Sequence, residues 1–529
     1  MENNIKNLEP KKVFEYFYDI CQIPHGSGNL EGIVNYLVDF AKSHNLRYIA
    51  DGSKNVIIYK DGSKCEPQNG RGECLQSPCR GELCEPVILQ AHTDMVCVKT
   101  PSSNIDMSKD SLDIYVDNGY LKARGTSLGG DDGIGVAMIL AILDDDKKDF
   151  PPIEALFTSD EETGMNGAIG VDGKLFKAKR LINIDSENED ELTVSCAGGS
   201  HCESELTIER QQDCRGECLQ SPRMGELCES ALIINQKPYY LYQLKLSNLL
   251  GGHSGMEIHK GRANAICETA YVLKKLLDEN IDFYLASIDG GKFENVICEE
   301  AESILYVYKD DEDKFKKIIS KLDTDLKSEY SLCDPNITIT ATRMGECLQS
   351  PRMGELCEPL TKESTINIIN TLFSLPQGLI EVSQEFVNLP WTSLNLGVIK
   401  TENDKIILTT LIRSNDDLKR DKLVKKYKTI IESAGGKFSL GGEYPAWRYN
   451  KDSKLKNDMI ATYKELFGKN INVVATHGGL ECGLFMGKIP NLDAVSIGPT
   501  ILAVHSTDER LNISSVENIY KFLEKCLLT

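Results

Sequence analysis

Residues 87–94 read VILQAHTD, a short apolar run that closes on His92 and Asp94. A run this apolar, with no polar alternation, predicts a strand buried on both faces. Such strands belong to α/β sheets, where ligands gather beyond the carboxyl ends of the strands. His92 and Asp94 fall at that end. The runs Val56 to Tyr59, Ile153 to Thr158, Leu181 to Ile184 and, near the C-terminus, Ala494 to Gly498 have the same character. Between them, Gly133 to Leu143 is apolar almost all round and predicts a buried helix. Leu30, Ile33, Val34, Leu37 and Phe40 recur at helical spacing and predict an amphipathic one. Strand and helix alternate, so the class is α/β.

Polar residues cluster where these strands end. Glu161 and Glu162 lie in TSDEETGM (158–165), Asp185 in LINIDSE (181–187) and His505 in HSTDER (505–510). Asp131 and Asp132 lie in GTSLGGDDGIG (125–135), where a glycine turn enters the buried helix. Singly, each has an ordinary reading. His92 with Asp94 is equally a hydrogen-bonded surface pair, the aspartate doublet a helix cap, and the glutamate doublet a solvated charge run. Asp185 could close an Asx turn, and His505 is an ordinary loop histidine. Jointly, at the strand ends of one pattern, they are the parts of a hydrolytic metal centre. Amide hydrolysis needs an activated water, a polarised carbonyl and a base, and zinc held by imidazole and carboxylate ligands supplies the first two.

At 529 residues the chain predicts two domains, or one with a large insertion. Its 41% hydrophobic and 26% charged residues are those of a soluble globular protein. The opening MENNIKNLEPKK has no apolar signal region, and no apolar run reaches the ~18 residues of a membrane span, so a cytoplasmic address is expected. A net charge of −21 without basic patches argues against nucleic acid. In that compartment the 18 cysteines are expected to be reduced.

Seven of those cysteines lie in three near-copies of one segment: GECLQSPCRGELCE at 72–85, and GECLQSPRMGELCE at both 216–229 and 345–358. The copies are more than 100 residues apart, so they cannot stack as a solenoid. The later two copies each offer two cysteines ten positions apart, which does not make the tight ligand pairs of a structural zinc site. They read as surface insertions, tolerated because loop length costs little.

Together with GGHSGMEIH (251–259) and HGGLECGLF (477–485), these motifs resemble in kind and order those of the M20 metallopeptidases, in the aminoacyl-histidine dipeptidase branch. The resemblance runs from about Val13 to the C-terminus. It implies a zinc-peptidase-like catalytic domain, with a central mixed sheet flanked by helices, in two halves, 1–198 and 447–529. Between them, 199–446 would be an inserted α+β lid and dimerisation domain of a homodimer. It implies two divalent ions, with zinc expected and manganese or cobalt as alternatives. Asp131 would bridge them, His92 and Asp185 would complete one site, and Glu162 and His505 the other. Asp94 would orient His92, Glu161 would be the general base, and His253 would reach the partner subunit's site as an oxyanion donor. Arg413 would hold the substrate's carboxylate, with Asn264, Ser393, Gly478 and Gly479 as further substrate contacts. Asp132 is left without a role. The implied reaction is hydrolysis of dipeptides, Xaa-His among them, with a tripeptidase, an N-acyl amino acid deacylase or a non-catalytic dipeptide carrier as alternatives. A Cys482–His477 nucleophile would leave the five spaced ligands unexplained.

Overall fold

The computed structural model describes residues 5–62, 85–211, 215–219, 229–344 and 358–528, with side chains left out at 215–219 and 229–231. The three repeat copies fall largely outside the described residues. In the second, the strand Arg215–Leu219 pairs antiparallel with Glu229–Ile234. Among the described residues, no helix is long and apolar enough to cross a membrane.

The chain forms two compact units: 1–196 with 447–475 and 480–529, and 197–446 with 476–479. The first is a mixed α/β unit. Its eight-stranded sheet runs Arg47–Ala50, Val56–Lys60, Ile153–Thr158, Val87–His92, Arg180–Asn183, Asp493–Ser496, Glu191–Thr193, Asn472–Val474. The central strands pair parallel, with Val87 opposite both Ile153 and Arg180, and Asp493 also opposite Arg180. Every residue of Val87–His92 and of Ile153–Thr158 is buried, which is why both read as unbroken apolar runs. The helix Gly130–Asp144 is buried all round from Gly133 to Leu143. A four-stranded sheet joins Ile501–Leu502, Arg510–Asn512, Tyr120–Ala123 and Ile114–Asp117, and His505 lies in the turn between its first two strands.

The second unit holds an 11-stranded sheet with a duplicated plan. Lys237–Ser247, helix Ala265–Asp278, Phe283–Gly290, Ala301–Tyr308, helix Glu312–Glu329 and Thr338–Arg343 follow a β-α-β-β-α-β order. Their strands lie in the spatial order fourth, first, third, second. Gly198–Thr207, helix Lys362–Ser374, Pro390–Thr401, Lys405–Ser414, helix Asp417–Ser433 and Lys437–Tyr444 repeat both orders. The first copy is inserted between the first strand and first helix of the second. The copies meet edge to edge through their second strands, at Gly290 opposite Ile399. Thr401 Oγ1 reinforces the seam, accepting from Ile288 N–H and donating to its carbonyl, each at 2.8 Å. One apolar core runs beneath both copies, from Leu244 and Phe283 to Leu408 and Tyr427.

Candidate active site

Each candidate ligand of the first unit leaves the sheet at the end predicted to carry it. His92 is the last residue of Val87–His92, Asp185 lies two residues past Arg180–Asn183, and Glu161 and Glu162 lie just past Ile153–Thr158. Asp131 occupies a non-helical position, φ −86° and ψ 108°, at the mouth of the buried helix.

Asp131 sits between the two histidines, Oδ1 lying 3.0 Å from His92 Nε2 and Oδ2 3.3 Å from His505 Nε2. Each imidazole then has a carboxylate of its own: Asp185 Oδ1 at 3.5 Å from His92, and Glu162 Oε1 at 2.9 Å from His505. Glu162 Oε1 is buried and, despite that approach, makes no hydrogen bond. His92 Nε2 and Asp131 Oδ1 are within hydrogen-bond distance, whereas a buried carboxylate oxygen with no hydrogen bond, as at Glu162, fits a cation. Among the described residues, three trios keep their ligand atoms within 4.8 Å of one another: His92, Asp132 and Asp185; His92, Glu161 and Glu162; and Asp131, Glu162 and His505. Nitrogen with carboxylate oxygen is a donor set that zinc, manganese and cobalt accept.

The electrostatics point the same way. Burial alone would raise the Asp131 pKa, but His505 and His92 hold it far below the carboxylate range. Burial, then Asp185, keeps Asp132 well above it. Burial also pushes up Glu161, with Asp185, Glu481 and Glu162 adding repulsion against the pull of His92. Asp185 is raised to about 6 and Glu187 to about 7, burial leading in both. Contact with Asp131 and Glu162 pushes His505 up to about 11. The pocket thus crowds carboxyl groups around two imidazoles and is short of positive charge.

Asp94 lies against His92 through both its main chain and its carboxylate. His92 Nδ1 lies 3.0 Å from the Asp94 main-chain carbonyl and 3.6 Å from its carboxylate. The carboxylate also accepts the backbone N–H groups of Glu161 at 2.9 Å and Glu162 at 3.3 Å, and the Ser27 hydroxyl at 2.8 Å. It therefore sets the loop carrying both glutamates besides facing the His92 ring. Asp132, left unassigned above, accepts the His92 N–H at 3.2 Å. Sequence reading also missed Glu509, whose buried carboxylate accepts the N–H groups of Leu128, Gly129 and Gly130 at 2.8, 3.1 and 2.8 Å. It grips the glycine turn that presents Asp131. A cleft of about 440 Å³, lined by Met95, Val96, Cys97 and Met107, opens beside Glu162.

The second unit collects the remaining candidates. His253 Nδ1 accepts the N–H groups of Gly255 at 3.2 Å and Met256 at 3.0 Å, which leaves the ring proton on Nε2. The loop is tight: Gly252 has φ +126°, and a Cβ there would lie 2.3 Å from Arg262 Nη1. Arg413 is buried, Nη1 donating to the Tyr444 hydroxyl at 2.8 Å while Nε has no hydrogen bond. His477 takes Asn415 Oδ1 at Nδ1 and the Ser393 hydroxyl at Nε2, at 3.0 and 2.8 Å. Burial, with Arg413, His253 and His259 close by, holds it down to about 3 and so uncharged. His253 belongs to the inserted copy and Arg413 to the other, so the duplication brings both to His477 within one chain. Asn264 caps the helix Ala265–Asp278 through Oδ1, while Nδ2 donates to the Leu396 carbonyl, so its polar atoms serve the fold. Gly478 N–H donates to Thr476 Oγ1 and its carbonyl accepts from Ala197. Burial pushes the Cys482 thiol well up, and both His477 nitrogens are engaged elsewhere.

The chain as a whole has counterparts among known proteins. The chain belongs to peptidase family M20/M25/M40, whose model matches residues 88–529. Among curated proteins it is 33% identical over 525 residues to the cytosol non-specific dipeptidase of Escherichia coli strain K12, covering 99% of each chain. Among solved structures, the aminoacylhistidine dipeptidase of Vibrio alginolyticus superposes with a TM-score of 0.80 at 31% identity, covering 100% of this chain and 99% of that one. The aminopeptidase PepT of Bacillus cereus ATCC 10987, at 13% identity and a TM-score of 0.52 over 98% of this chain and 99% of that one, shares the fold alone.

Proposed function

We propose that this chain is a two-metal dipeptidase. The observation that carries the reading is Asp131, one carboxylate offering a separate oxygen to each of two histidines. His92 and Asp185 would hold one ion with it, Glu162 and His505 the other, zinc being the proposed identity. Bound there, two divalent ions supply a polarised carbonyl and a water acidic enough to attack near neutral pH. Glu161 takes the water's proton and passes it to the leaving amine. The Asp94 carboxylate keeps that glutamate in place through its N–H. His253, its proton directed to Nε2, donates to the oxyanion, and Arg413 offers its unpartnered Nε to the terminal carboxylate of the dipeptide. The methionine-lined cleft beside Glu162 suits side chains of varied shape, because methionine repacks readily.

The proposed assembly is a homodimer in which His253 serves the partner subunit's site. The relative's printed name supports a cytosolic address. The test is turnover by metal-replete protein on a panel of dipeptides, tripeptides and N-acyl amino acids. Dipeptides, Xaa-His among them, should be cleaved and the other two classes spared. Preferential cleavage of either other class, or activity in protein shown by elemental analysis to be metal-free, overturns the proposal.

A further inference from the structure

Beneath the candidate ligands lies a second polar layer that the mechanism does not use. Glu481, fully buried, comes from the HGGLECGLF motif and precedes the short helix Cys482–Lys488. Its Oε2 accepts from Gln90 Nε2 at 2.6 Å and from Thr158 Oγ1 at 2.7 Å, and Gln90 Oε1 accepts from Asn183 Nδ2 at 2.7 Å. These partners occupy three adjacent strands. Gln90 and Asn183 each lie two residues before a candidate ligand, His92 and Asp185, and Thr158 lies just ahead of Glu161 and Glu162. On a strand, residues two apart share a face, so Gln90 stands directly below His92. Glu481 Oε1 is buried and has no hydrogen-bond partner.

We propose that Glu481 is a positioning residue: a buried cross-link that holds three ligand-bearing strands in register beneath the metal centre. It touches neither substrate nor ion. The role rests on the two-metal reading above. A polar network in a low-dielectric interior fixes geometry because each member has few alternative partners. Loss of the hub frees Gln90, Thr158 and Asn183 to repack, and the ligand ends above them lose their mutual spacing. The bridge needs an acceptor oxygen and not a charge. Both donors converge on one oxygen, and burial pushes the carboxyl up to about 8, so it is mostly uncharged at neutral pH. Glutamine can supply the same oxygen.

The experiment compares Glu481→Leu, Glu481→Gln and Thr158→Val with Phe522→Leu, which cuts the core of the same unit where Phe522 packs on Tyr463. Each full-length protein is stripped of metal, and zinc affinity is read by competition with a chromophoric chelator, beside thermal unfolding and kcat. Glu481→Leu should lose on the order of 10- to 100-fold in zinc affinity, the usual cost of removing an outer-shell support. Thr158→Val should lose less, and Glu481→Gln should stay close to the parent. Phe522→Leu should lower the unfolding temperature without moving zinc affinity. Parent-like affinity in Glu481→Leu overturns the proposal. So does a Glu481→Gln variant as weak as Glu481→Leu, since charge would then be the requirement. If Glu481→Leu fails to fold, unchanged affinity in Thr158→Val overturns it. A parent protein that binds no zinc refutes the two-metal reading itself and is seen before any variant is made.

Discussion

Glu161 and Glu162 are adjacent and chemically alike, yet the proposed mechanism gives them unlike tasks, so Glu161→Gln is the sharpest perturbation of the site. Glu162 lies 2.9 Å from His505 and shares that histidine with Asp131. Glu161 is buried among Asp185, Glu481 and Glu162. Glutamine at 161 should keep both ions and lose the proton relay. General-base catalysis is worth about 100- to 10,000-fold, or about 2.7–5.4 kcal/mol at 1.36 kcal/mol per tenfold. The loss should fall on kcat and kcat/KM alike, because the interaction exists only in the transition state. A second effect has the opposite sign. The raised pKa of Glu161 means that, above the ordinary carboxylate range, the folded metal-free chain binds more protons than the unfolded one. Stability therefore falls as pH rises through that window. Glutamine carries no charge to bury, so Glu161→Gln should raise the unfolding temperature of metal-free protein at pH 7. That gain should vanish near pH 4, about where an unfolded glutamate is itself protonated. Glu162→Gln should instead weaken zinc binding. Stopped assays, elemental analysis and calorimetry on both variants decide the matter: metal lost from Glu161→Gln and kept by Glu162→Gln would show the roles reversed.

Three further outcomes follow from the geometry. His253→Ala should fold, bind metal and lose turnover by on the order of 100-fold; mixing it with Glu161→Gln under subunit-exchange conditions should return partial activity, and mixed dimers as inactive as either parent would show that His253 does not act in a partner's site. Arg413→Lys should lower kcat/KM for dipeptides by about 10- to 100-fold, as expected for a lost charge-assisted hydrogen bond, and leave C-terminally amidated dipeptides unaffected. An equal loss on the amides would refute carboxylate recognition. Zinc binding should release protons at pH 7 and tighten as pH rises, because His92 and His505 are held protonated by carboxylates in the metal-free chain and must be neutral to ligate. A calorimetric heat that does not vary with buffer ionisation enthalpy would contradict this.

The sequence by itself determined the α/β class, the buried helix Gly133 to Leu143 and the strand-end placement of His92, Glu161, Glu162 and Asp185. These are local consequences of burial. A strand covered on both faces must be apolar throughout, and the first polar residues mark where it leaves the sheet. Only the tertiary structure decided the rest. The duplicated second unit is hidden because one copy interrupts the other and its antiparallel strands alternate in polarity, so no contiguous pattern repeats. His253 comes to Arg413 and His477 of its own chain only because that duplication folds the two copies edge to edge. Asp94 faces His92 and also accepts the N–H groups of the glutamate loop, a second task that no spacing encodes. Glu481 and Glu509 look like unremarkable loop acids, since the groups they bind lie 323 to 391 positions away in the chain. A buried carboxylate takes its meaning from whichever donors the fold delivers to it, and that delivery is a property of three-dimensional packing and not of neighbouring residues.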